Sequence, residues 1–239
     1  MTASRTKIIA CATVIEEMIP LLPAGMTYQA LDFGLHVTPE KLRSKLQEEI
    51  DIASAEADTL ILGYGLCSLA VVGLKATACT LVVPRVDDCI AIFLGSQAAY
   101  QQQAGQEPGT YYLTKGWIEV NDTPFAEYDH LVERYGPERA DRMIKLVLKN
   151  YTRLAFIDTG CYEQERYREY ARHVARRFGL RYEEIPGSTA LIRKMLYGPW
   201  DDGFVIARPG DVISYADFKT TTTTASNVSN LSVADLETG

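Results

Sequence analysis

Residues 59–74 read TLILGYGLCSLAVVGL. The run Thr59-Leu60-Ile61-Leu62 has the length and branched side chains of a buried strand. Gly63 and Gly65 interrupt it, and Leu69 to Leu74 then resumes as an apolar, helix-like segment. A strand that enters a glycine turn and leaves as a helix is the building unit of α/β proteins, and the turn is where backbone or side chain approaches a ligand. A plain phosphate-binding turn does not explain Cys67 inside it.

Working outward, comparable apolar runs recur at Lys7 to Ala12, Tyr28 to Phe33, Thr80 to Val83, Tyr111 to Thr114, Leu154 to Ile157, Arg181 to Ile185 and Phe204 to Ile206. Within 39–57, Leu42, Leu46, Ile50 and Ala53 fall on one helical stripe. Asp87 or Asp88 caps a helix from Cys89 to Tyr100, and Pro137 divides Ala126 to Asn150 into two helices. Tyr162 to Phe178 is a further helix, closed by Gly179, and Ser188 or Thr189 opens a short one ending near Leu196. Strands alternating with helices predict an α/β fold: a mostly parallel sheet covered on both faces, a Rossmann-like three-layer architecture. Residues 1–218 form one such domain, or two lobes dividing near 105–125, and 219–239 are a polar, flexible tail.

A chain of 239 residues is long enough to bury roughly 70 to 75% of its unfolded surface without disulfides. Its net charge of -7 argues against a nucleic-acid protein, which needs a surplus of Lys and Arg on some face. The first apolar stretch, Ile8-Ile9-Ala10, is too short for a signal peptide or a membrane span, so a cytoplasmic protein away from membranes is expected. Five cysteines, an odd number at irregular spacing, fit thiols, metal ligands or packing better than a disulfide framework.

In a parallel sheet the groups just past each strand gather at one edge. Cys67 and Cys89 each follow a strand of one βαβ unit, and neighbouring strands about 4.8 Å apart bring such sulfurs within reach of a shared metal ion. His36, in the loop Phe33 to Pro39, offers a nitrogen, and Asp87 or Asp88 an oxygen. Cys67, Cys89 and His36 are thus the metal candidates, for zinc or another transition metal with an open position. Two other readings stand beside this one: the thiols pack as small hydrophobes, or Cys89 is a thiolate in the first turn of its helix. Asp88 and Lys115 are the catalytic candidates. Gly63, Gly65, Arg85, Trp117, Thr159 and Gly160 are the cofactor-binding ones, the last two able to hold an anion or simply to cap a helix. Gly63-x-Gly65-x-x-Ser68 followed by Asp87 also resembles a dinucleotide fingerprint lacking its third glycine.

In order along the chain, LDFGLHVTPEKL, GYGLCSLAVVGL, PRVDDCIAIFLGS, GTYYLTKGW and LKNYTRLAFIDTG resemble the bacterial and archaeal family catalogued as domain of unknown function 1638. Its members often lie near corrinoid-dependent methyltransferase components. The resemblance therefore implies methyl or one-carbon metabolism, with a small-molecule substrate, a corrinoid as a possible cofactor and corrinoid methyltransferase proteins as partners, and it draws attention to Cys67 and Cys89. The expectation is a metal-dependent methyltransferase or related one-carbon enzyme, able to form homo-oligomers. The alternative is a non-catalytic accessory protein that binds a corrinoid, a nucleotide or a small anion.

Overall fold

A computed structural model describes residues 5–66, 69–120 and 123–219. Cys67 and most of the expected tail lie outside the described residues. The strands form two sheets. The first, in the order β2-β1-β3-β4-β8, contains β1 (Thr6–Cys11), β2 (Thr27–Leu31), β3 (Thr59–Gly63) and β4 (Thr80–Pro84) in parallel. Its edge strand β8 (Phe204–Ala207) runs antiparallel to β4. The second sheet is parallel throughout: β5 (Thr110–Leu113), β6 (Arg153–Asp158) and β7 (Arg181–Pro186), with β6 central.

Burial explains the sequence pattern. Ile8, Ile9 and Ala10 of β1 and Leu60, Ile61 and Leu62 of β3 are fully buried, as continuous apolar runs must be in parallel strands covered on both faces. Helix α2 (Pro39–Ala53) lays Leu42, Leu46, Ile50 and Ala53 on the outer face of the first sheet. Each fully buried Leu or Ile there contributes about 1.5–3 kcal/mol. On its inner face lie α1 (Ala12–Met18), α3 (Cys89–Leu94) and α9 (Ala190–Tyr197). Those three helices pack equally against Ala155, Ile157 and Ile185 of the second sheet. The far side of that sheet is covered by α6 (Pro124–Tyr135), α7 (Pro137–Val147) and α8 (Glu165–Phe178), through Phe125, Ile144, Tyr167 and Ala171 among others. Mostly parallel strands flanked by helices on both faces give the three-layer α/β fold, stated twice over with a shared middle layer of helices.

Three local expectations change. Leu69 to Leu74 is not a helix: Leu69 takes φ 63 and residues 70–73 form turns, with the Gly73 N–H donating to the Ile213 carbonyl at 2.8 Å. Ala70, Val71 and Leu74 are still buried, so the segment covers the sheet without a helical period. The helix from Cys89 to Tyr100 breaks at Gly95, where φ is +85 and a Cβ would stand 2.6 Å from the Ser188 Cβ. Ser96 then caps a new helix, α4 (Gln97–Gln106), accepting from the Ala99 N–H at 3.1 Å. The third helix start shifts: α8 begins at Glu165, because Tyr162 is turned to a buried polar cluster described below.

Candidate functional site

From β1 the chain passes to β2 on one side and later returns across β1 to place β3 on the other. That reversal makes a crevice beyond the carboxyl ends of β1 and β3, the position at which open α/β sheets bind ligands. A cleft of about 520 Å³ occupies it. Its floor and one wall come from the first sheet: Cys11 closing β1, His36 after β2, Gly63 closing β3, and Asp88 with Cys89 after β4. The facing wall is aromatic and comes from the second sheet and its neighbours, including Tyr112 of β5, Tyr100 of α4 and Trp117 of α5 (Lys115–Val120).

Local structure sets each group. Gly63 lies opposite Ala10 in the β1–β3 register, and a Cβ there would stand 2.4 Å from the Ala10 Cβ, so the floor is built on a close approach only glycine permits. Asp88 is the N-cap of α3: its Oδ1 accepts from the Ile90 N–H at 2.8 Å. Burial pushes the Asp88 carboxyl up, with the Asp87 charge adding to the effect and hydrogen bonds, including one from the Tyr100 hydroxyl, opposing it. Tyr100 is in turn pushed up to about 12, chiefly by burial and then by the Asp88 charge. Burial likewise raises the Cys11 thiol, although its sulfur accepts from the Thr13 hydroxyl at 3.3 Å. His36 sits in a 3-10 turn, Phe33–Val37, with Nδ1 2.5 Å from the Phe33 carbonyl.

The structure therefore brings His36, Gly63, Asp88, Cys89 and Trp117 to one cleft and directs other candidates elsewhere. Gly65 packs its backbone against the 86–88 loop, where a Cβ would meet the Val86 carbonyl at 2.5 Å. Arg85 is committed to β8, its Nε donating to the Phe204 carbonyl at 3.0 Å. Asp87 accepts from the Gln97 amide at 2.5 Å. Because residues 70–79 form turns and extended chain, no helix N-terminus follows the glycines within the described residues to receive a pyrophosphate.

Lys115 and Thr159 belong to a second polar cluster, at the carboxyl edge of the second sheet. At its centre is Glu17 of α1, fully buried. Its Oε2 accepts from the Thr159 hydroxyl at 2.5 Å, and the Tyr162 hydroxyl donates to the same carboxyl. Burial drives the Glu17 carboxyl up, past what these hydrogen bonds and the Lys115 charge recover. The Lys115 backbone N–H donates to the Tyr162 oxygen at 3.0 Å, while its Nζ pairs with Glu16 at 2.8 Å. Partial burial pulls the Lys115 ammonium down, but Glu16 outweighs it and the net direction is up. Gly160 donates to the Asp158 carboxylate at 2.8 Å, closing the turn after β6.

Sequence reasoning assigns no role at the site to Cys11, Phe33 or Tyr100. The signal for Cys11 was its place at the end of the strand beside the reversal; the rings are scattered over segments that only the packing of two sheets unites. Among the described residues no group of three His, Cys, Asp or Glu side chains is gathered to hold a metal ion. No helix among them is long and apolar enough to cross a membrane. Comparison with curated proteins and with solved structures gave no match. A family model described as "Protein of unknown function (DUF1638)" matches residues 30–196, and the chain belongs to that family.

Proposed function

We propose that the cleft is the site of a soluble, cytoplasmic enzyme of methyl or one-carbon metabolism, acting on a small molecule at a thiol and imidazole centre. The observation that carries this reading is the delivery of His36, Asp88 and Cys89 into one cleft from the ends of parallel strands beside the chain reversal. The Leu66 N–H donates to the Val86 carbonyl at 2.9 Å, which joins the segment after β3 to the segment after β4. Cys67, which lies outside the described residues, would together with Cys89 and His36 hold a metal ion of the zinc type. When bound, such an ion keeps a thiol or water deprotonated at neutral pH. Asp88 stands by position as the proton carrier, and Trp117 shapes the pocket for the substrate. Arg85 and Lys115 hold β8 and α1 instead.

An accessory role in binding a corrinoid, nucleotide or small anion finds less support, because the described lining of the cleft contains no Lys or Arg. The test is elemental analysis of tag-free protein purified without chelator, beside the Cys67→Ser, Cys89→Ser double variant. Near-stoichiometric metal in the wild type, lost in a double variant that keeps its circular dichroism spectrum, supports the centre. Metal-free wild type, or a double variant that retains metal, refutes it.

A further inference from the structure

The substrate class of this site is written in its aromatic wall. Phe33, Tyr100, Tyr112 and Trp117 line the cleft and are each only partly buried. Trp117 meets Phe33 edge-on with ring centroids 6.4 Å apart, and Tyr100 tilts against Tyr112 at 6.5 Å. The charged side chain among the described lining residues is a carboxylate, Asp88, to which the Tyr100 hydroxyl is hydrogen-bonded. The buried Arg153, whose Nε donates to the Thr110 hydroxyl in the cleft wall at 2.8 Å, is neutralised by Glu107 and Glu183.

Different ligands read such a surface differently. Among the described lining residues an anion finds no Lys or Arg. A strongly hydrated inorganic cation asks for several oxygen ligands to replace its water, and one carboxylate among rings supplies too few. A large, weakly hydrated organic cation needs only what is present: ring faces, whose quadrupoles attract a positive centre within about 6 Å, and one negative group. The volume, about 520 Å³, suits a small organic molecule.

We propose that the cleft recognises a compact organic cation, a methylated ammonium or sulfonium group, on the faces of Phe33, Tyr100, Tyr112 and Trp117, with Asp88 as its counter-charge. This rests on the reading above that the cleft is the substrate site, and it names the class of substrate.

The experiment is calorimetric titration of the full chain with tetramethylammonium, choline and trimethylsulfonium, and with 3,3-dimethylbutan-1-ol, the uncharged isostere of choline. Binding of at least one onium probe is expected, with choline favoured over its isostere by about tenfold. Tyr100→Leu and Trp117→Leu should each weaken that probe by about threefold to tenfold. Equal affinity for choline and its isostere, or no heat from any onium probe at millimolar concentration, overturns the proposal; the comparison of ligands on unaltered protein stands whether or not a variant folds. Metal content measured on the same samples separates the two readings. Full metal without onium binding removes the substrate class alone, whereas onium binding without metal keeps the recognition and removes the thiolate centre.

Discussion

Replacing Gly63 with Ala adds one methyl group where two strands and a helix meet. The new Cβ would lie 2.4 Å from the Ala10 Cβ, 3.2 Å from the Val14 Cγ1 and 3.4 Å from the Ala10 Cα. Carbon atoms in favourable contact stand about 3.5–4.0 Å apart, so β1 and β3 must separate at this level by on the order of 1 Å. Ala10 and Val14 are both fully buried, and a close-packed interior has no slack to take up that shift. Overpacking of this size costs about 1–3 kcal/mol. For a chain of this length that lowers the Tm by roughly 2–10 °C. Urea unfolding followed by circular dichroism gives the free energy, and a second background tests the cause. In Ala10→Gly protein the closest atom is gone, so Gly63→Ala should there cost at least about 1 kcal/mol less, a coupling within the usual range for residues in contact. An unchanged midpoint in the single variant, or the same loss in both backgrounds, would refute the idea that strand contact fixes glycine here.

Glu17 gives a pH test. Its folded-state pKa lies above the unfolded value, because burial disfavours the charged form. Such a carboxyl contributes stability that is complete below about pH 4 and is lost as the pH rises through its folded pKa. Glu17→Gln removes that dependence, so the variant should gain stability relative to wild type between pH 4 and 7; a constant difference in Tm across that range would count against a buried, raised carboxyl. Arg153, almost fully buried, ties Thr110, Gln103 and Glu183 across the base of the second sheet. Arg153→Leu should destabilise by on the order of 3 kcal/mol, since the groups it pairs with are left without their partner, and a loss under 1 kcal/mol by chemical unfolding would contradict that role.

Much of the fold was legible because burial on both sheet faces leaves a direct trace. Ile8-Ile9-Ala10 and Leu60-Ile61-Leu62 read as strands since nothing polar fits there, and the α2 stripe read as a helix since one face alone is buried. The division into two sheets left no such trace. Tyr111 to Leu113 and Leu154 to Ile157 look like any other strands, and which neighbour each pairs with is decided by long-range packing on a shared helical layer. Leu69 to Leu74 misled because burial without period resembles a short helix, while its backbone groups are paired with the distant Ile213 segment. For the site, the chain reversal could be suspected from strand and helix order, and it placed His36, Asp88 and Cys89 together. Arg85 and Lys115 looked available only because their partners, the Phe204 carbonyl and Glu16, are far away in sequence.

The second sheet enters the chain between α4 and α9, so it is tethered to the first at two places. One crossing runs from Gln106 to Thr110; at the other, the Gly187 N–H donates to the Asp158 carbonyl at 2.7 Å and the Ser188 N–H to the Phe93 carbonyl at 2.8 Å. Between the crossings the two sheets also close on one buried layer, in which Val14, Phe93 and Ile192 lie in the same core as Ala155 and Ile157. The two walls of the cleft are therefore mounted on a single close-packed seat, and the distance between the rings and the carboxylate is set by that packing rather than by the crossings alone.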